Sequence, residues 1–189
     1  MWVNDERKIA YLHLPKTGGT FIKNCIGGFR KVTKTHIKLR EVPNPELYLD
    51  YYFFTVVRNP YRRYASQYRH RRRKYENYLA SGSTTIPQEV LDALFINLSS
   101  LSSYLEWIIK EAGELIVQAD YIDHPILKPE IFKYEDTDLS EIIPCEGEKS
   151  GETNYWGDYD WKDYVDSKGI LLINEYCKRD FEQFGYEMM

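Results

Sequence analysis

Cysteine is scarce and poorly spaced for any common framework. Cys25, Cys145 and Cys177 are odd in number and form no Cys-x-x-Cys pair. That argues against a disulfide scaffold and against a cysteine-based zinc site, and points to a reducing compartment. Long apolar runs are missing too: no stretch approaches the ~20 residues that a membrane span needs. The opening Met1-Trp2-Val3-Asn4-Asp5-Glu6 is polar and lacks the apolar run of a secretory signal. These absences predict a soluble, cytoplasmic protein with no membrane span, in which the sequon Asn97-Leu98-Ser99 is chance. There is no internal repeat, no low-complexity tract and no carboxylate motif for Mg²⁺, so no metal is expected. Positive charge is not in excess either. The net charge of -4 argues against a nucleic-acid partner.

The chain has 189 residues, the size of a single domain spanning 1–189, and is 43% hydrophobic and 29% charged. It is rich in Tyr, with 17, a side chain whose body fills a core while its hydroxyl finds a partner. Charge is uneven. Arg58, Arg62, Arg63, Arg69, Arg71, Arg72, Arg73 and Lys74 crowd into one stretch, whereas residues 130–166 are mostly acidic. A basic segment in an acidic chain suggests a site for an anionic ligand.

Hydrophobic patterning predicts a buried strand over 8–14, a glycine-bearing loop over 15–20, and a helix from Phe21 that ends at Gly27-Gly28. Residues 51–57 form the best strand of the chain, aromatic and β-favouring throughout, as suits a strand buried on both faces. Asn59-Pro60 then caps and opens a long helix. A helix over 88–112, a short strand ending at Lys133-Tyr134-Glu135, a loop over 150–160 and a C-terminal helix over 161–184, with a break at Gly169, complete the series. The alternation predicts an α/β domain with a parallel sheet.

Two segments carry chemistry. Leu14-Pro15-Lys16-Thr17-Gly18-Gly19-Thr20 joins a strand to a helix, where backbone N–H groups gather an anion. Gly18 and Gly19 allow close approach, Lys16 adds charge, and Thr17 and Thr20 add hydroxyls. In a Walker A loop the Lys follows the last Gly; here Lys16 precedes both. A plain strand-to-helix turn is the competing reading. The second segment runs from Arg58, at the end of the best strand, to Ser66, nearly two turns into the next helix. Arg58 offers a planar fork for phosphate and Ser66 one more hydrogen bond. Its competing reading is a capped surface helix with a salt-bridged Arg. Both segments sit at carboxyl ends of strands, where open α/β sheets bind ligands.

Together these residues resemble sulfotransferases that use 3'-phosphoadenosine 5'-phosphosulfate (PAPS). Pro15 to Thr20 resembles their 5'-phosphosulfate loop, and Arg58 through Ser66 their 3'-phosphate motif. The wording around both is most similar to the carbohydrate branch that includes the heparan sulfate 2-O-sulfotransferases. Gln118, Ile131-Phe132-Lys133-Tyr134-Glu135 and Asp180 to Tyr186 also fit that branch. The resemblance implies a P-loop-like, three-layer fold with a central parallel sheet flanked by helices. It implies PAPS as donor, no metal, and an acceptor hydroxyl, often on a sugar. Lys16, Thr17, Gly18, Gly19 and Thr20 would hold the phosphosulfate; Arg58 and Ser66 would hold the 3'-phosphate. The family's late loop often carries Asn-Ser, whereas here Tyr155 follows Asn154.

Lys16 would neutralise charge on the leaving phosphate. For the general base, His36 is the first choice: relatives of the branch carry a His in this region, and an unperturbed imidazole titrates near neutrality. His13 is second; His70 and His124 are background, and no Glu stands out. Arg69 to Lys74 would grip an acidic glycan or form a solvated helix face. The rival functions are a small P-loop kinase, which needs a Walker A lysine and an Mg²⁺ carboxylate, and a catalytically inactive nucleotide- or polyanion-binding module. A short chain with no membrane anchor suggests a bacterial or viral setting.

Overall fold

A computed structural model describes residues 1–25, 27–34, 36–138 and 159–189. The chain divides into two compact units, one of residues 1–59 with 117–158, the other of residues 60–116 with 159–189.

The first unit holds a five-stranded sheet with strand order β3-β1-β2-β4-β5. Its strands are β1 (Trp2–Asn4), β2 (Ile9–Leu12), β3 (Arg30–Lys31), β4 (Tyr52–Val57) and β5 (Glu130–Lys133). β2, β4 and β5 are parallel, with Leu12 opposite Thr55 and Val57 opposite Lys133. These are the expected central parallel strands; β1 runs antiparallel to both β2 and β3, so the whole sheet is mixed. The polar look of the N-terminus hid this strand. Met1 and Val3 are fully buried on either side of the half-buried Trp2, and Asn4 is buried with its amide donating to the Gly27 carbonyl. Helix α1 (Gly19–Cys25) sets Ile22 into an apolar cluster with Tyr11, Phe54 and Val56. Phe53 to Val57 are buried throughout, as expected of a strand covered on both faces. A 3₁₀ turn at Leu39–Glu41 packs beside helix α5 (Gln118–Ile122).

The second unit is helical: α2 (Pro60–Ala80), α3 (Gln88–Asn97), α4 (Leu101–Ala112), α6 (Ser167–Tyr176) and α7 (Lys178–Phe184), with a 3₁₀ turn at Trp161–Tyr164. Its core joins Tyr61, Tyr64 and Tyr68 of α2 to Leu101, Tyr104 and Leu105 of α4 and to Ile173, Cys177 and Phe181. The buried tyrosines keep their hydroxyls paired, Tyr64 with the Ile116 carbonyl at 3.1 Å and Tyr68 with that of Leu98 at 3.0 Å. The expected single helix over 88–112 is two. Ser100 accepts from the Ser103 N–H and starts α4 afresh, a side chain outcompeting the continuing turn. The C-terminal segment breaks at residues 165–166 and 177, not at Gly169. Asp166 caps α6 by accepting from the Gly169 N–H at 2.7 Å, so Gly169 lies inside the first turn. Arg63 leaves the basic surface altogether. It is fully buried, donates to the Ile116 carbonyl and lies 4.2 Å over the Tyr64 ring. Cys177 is free and buried, whereas Cys25 is disulfide-bonded, against the expectation of reduced cysteines.

Candidate active site

Because β2, β4 and β5 are parallel, the residues that follow them emerge at one edge of the sheet. The first of these segments is the loop after β2. Thr17 is fully buried and donates to the Leu14 carbonyl at 3.0 Å, which pins the loop from inside. Lys16 and Gly18 take left-handed backbone with φ of 67° and 84°, with Thr17 between them outside that region. Such an alternation turns successive backbone N–H groups toward one side, the geometry of an anion-binding concavity. Lys16 adopts it despite its Cβ, at a cost of about 1–2 kcal/mol that the rest of the loop must offset.

Gly19 is glycine for a different reason. A Cβ there would lie 2.0 Å from His13 Nε2, so the imidazole occupies the space a side chain would take. His13 stacks on Tyr11 at 5.7 Å and meets His36 edge-on at 4.8 Å. Its Nδ1 is buried with no hydrogen-bond partner among the described residues. Burial, reinforced by His36 and Lys23, lowers the His13 pKa from 6.5 to about 3, so the ring is neutral over the physiological range. His36 is exposed and left-handed, with φ of 61°. Desolvation, then the chain's amino terminus and Lys23, lowers its pKa below 6.5.

Arg58, just past β4, is held on several sides. Gln118, fully buried at the start of α5, accepts from the Arg58 N–H at 3.0 Å and donates to its carbonyl at 2.8 Å. The guanidinium donates through Nη1 to the Lys16 carbonyl at 3.2 Å and lies 4.5 Å over the Tyr134 ring. Glu135 accepts from the Asn59 N–H at 3.1 Å and stands 3.9 Å from Arg58 Nε, with the two side chains only 13% and 15% exposed. At that separation the two are ion-paired but not hydrogen-bonded, and Nε is buried with no hydrogen-bond partner among the described residues. A cation with an open donor this deep is suited to an anion.

The first unit therefore brings together Lys16, Thr17, Gly18, Gly19, Arg58, His13 and His36, with Thr20 exposed in the first turn of α1. Ser66 lies half-buried on α2 in the second unit, at helical spacing from Arg62, Arg69 and Arg73. The run Arg69 to Lys74 is not one uniform face. Arg69 lies 3.6 Å over the Tyr159 ring, Arg72 pairs with Glu76, and Arg71 to Lys74 are exposed. Asn154 and Tyr155 lie outside the described residues. Gln118 and the Tyr134-Glu135 pair stood out in sequence only through family resemblance; their hold on Arg58 has no local signal. Among the described residues no cluster of three or more metal-ligating side chains occurs, and no helix is long and apolar enough to cross a membrane.

Residues 1–108 match the model of the Sulfotransferase family, a span that includes both motifs. The chain belongs to the sulfotransferase family. No curated protein and no solved structure matches it. As a sulfotransferase it has an α/β fold and is a transferase of sulfuryl groups, with a hydroxyl-bearing acceptor implied by the family.

Proposed function

We propose that this sulfotransferase moves a sulfuryl group from PAPS to a carbohydrate hydroxyl by in-line displacement. The observation that carries the reading is the hydrogen bond from Arg58 to the Lys16 carbonyl, which joins the two anion-binding motifs at one sheet edge. PAPS bears an anion at each end of its nucleotide, and each motif suits one of them. Lys16 and the backbone of Gly18 to Thr20 would take the phosphosulfate, with Thr17 holding the loop in shape. Arg58 would take the 3'-phosphate. The buried Nε of Arg58, ion-paired with Glu135 but without a hydrogen-bond partner among the described residues, and the left-handed Lys16 favour such a ligand.

In the transfer, His36 accepts the proton of the acceptor hydroxyl as the new S–O bond forms. The S–O bond to the 5'-phosphate breaks, and Lys16 balances the charge left on 3'-phosphoadenosine 5'-phosphate. His36 suits the role because it is exposed to an incoming acceptor and packed on His13, which itself lies against Gly19. The likeness to the heparan sulfate 2-O branch favours an acidic glycan.

Calorimetric titration with 3'-phosphoadenosine 5'-phosphate, against ADP with and without Mg²⁺, tests the donor assignment. Tight, metal-independent binding of the 3'-phosphorylated nucleotide, weakened in Arg58→Ala, is expected. Equal binding of both nucleotides, or a requirement for Mg²⁺ and ADP, would overturn it.

A further inference from the structure

The first unit carries an open groove of about 480 Å³ lined by Arg40, Asp123, His124, Pro125 and Lys128, none of them used by the site above. His124 is 6% exposed, and its ring orientation is set by the backbone. Nδ1 accepts from the Ile126 N–H at 3.2 Å and from the Leu127 N–H at 3.0 Å. A nitrogen that accepts twice carries no proton, so the neutral ring must bear its proton on Nε2. Burial, then Lys128 and Arg40, lowers the His124 pKa and keeps the ring neutral. That tautomer leaves Nε2–H as the one donor of a ring that lines the groove.

Two cations flank that donor. Lys128 donates to the His124 main-chain carbonyl, which ties the ammonium to the groove wall and leaves it two further protons to donate. Arg40 donates through Nη2 to Asp123, which leaves Nη1 and Nε. Two cations against one carboxylate give the groove a net positive charge. Neutral N–H, ammonium and guanidinium donors converging on one space recognise an oxyanion.

The groove is also tied to the candidate active site. Asp123 ends α5, whose first residue Gln118 grips Arg58. Arg40 follows His36 by four residues, so their Cα atoms are at most about 14 Å apart. We propose that this groove is an acceptor subsite that holds a carboxylate or sulfate carried by the acceptor chain. The acceptor half of this inference rests on the sulfotransferase reading; the oxyanion half does not.

The test is ring-nitrogen NMR of the histidines, titrated separately with inorganic sulfate, a short heparin-type oligosaccharide and a neutral oligosaccharide of equal length. The oligosaccharide that bears sulfate and carboxylate should shift the His124 Nε2–H saturably, and the neutral one should not. Lys128→Gln and Arg40→Gln should each weaken that shift about tenfold, the loss of one charge-assisted contact. Neither should change the affinity for 3'-phosphoadenosine 5'-phosphate, measured on the same samples. An unmoved His124 signal, or a shift that survives both substitutions, overturns the proposal. A response to free sulfate with none to the oligosaccharide overturns the acceptor assignment. Loss of nucleotide binding in the unsubstituted protein would instead overturn the donor reading and leave the His124 result to stand by itself.

Discussion

The carboxamide of Gln118 grips the main chain of Arg58 from both ends, accepting its N–H at 3.0 Å and donating to its carbonyl at 2.8 Å. Gln118 is fully buried, so no water can replace it. Gln118→Ala should therefore strand a buried donor and acceptor and cost about 1–3 kcal/mol of stability. It should also loosen Arg58 and weaken 3'-phosphoadenosine 5'-phosphate binding about tenfold. Denaturant unfolding and calorimetry check the two effects. A destabilised protein with unchanged nucleotide affinity would show that the clamp does not serve Arg58.

Arg58 uses its planar fork, not only its charge. Arg58→Lys should keep a cation near Glu135 but lose the Nη1 bond to the Lys16 carbonyl. Nucleotide affinity should then fall nearly as far as in Arg58→Ala, a comparison calorimetry can make. Retention of full affinity by the lysine variant would reduce Arg58 to a point charge.

Gly19 and His13 share one space. Gly19→Ala should force the imidazole aside and cost about 1–3 kcal/mol, the usual range for overpacking. Combining it with His13→Ala should cost less than the sum of the two single changes. A double-mutant cycle by thermal unfolding measures the coupling, and strict additivity would contradict the contact.

His36 has a folded pKa below 6.5. Its neutral, proton-accepting form therefore predominates at neutral pH and disappears as pH falls. Transfer rates should be flat around neutrality and decline on the acid side, below pH 6.5. His36→Ala should lower the rate by about 10²- to 10⁴-fold and remove that acid limb. A limb that persists in the variant would assign the base to another group.

His13 gives a separate pH signature, in stability and not in rate. Its pKa is about 3 when folded and 6.5 when free, so the unfolded chain takes up the proton first. The contribution of the neutral ring is complete above pH 6.5 and is lost progressively as pH falls toward 3. His13→Gln should flatten the acid side of the stability profile in denaturant titrations. An unchanged slope would place the ring in water.

Much of this protein was legible in its sequence because the signals are local. A run of β-favouring residues from Tyr52 to Val57 makes a strand wherever it is buried, and Asn59-Pro60 starts a helix by its own conformational preferences. Lys16 to Thr20 and Arg58 stand out through residue type and position after a strand. Other features depend on partners distant in the chain. β1 exists because Val3 pairs with Ala10 and Arg30, which its polar neighbours conceal. The division of 88–112 turned on the Ser100 cap, a competition that hydrophobic spacing does not register.

By itself the sequence determined the α/β class, the sulfotransferase family and the position of the two motifs that follow β2 and β4, since each rests on short-range pattern and residue chemistry. Only the tertiary structure decided the mixed sheet, the burial of Arg63, the Gln118 and Glu135 hold on Arg58, and the wedge of His13 against Gly19. Those depend on which side chains meet after the chain has folded. Burial and neighbouring charge then set what each group can do: they make His13 a neutral filler and orient Arg58 as a donor.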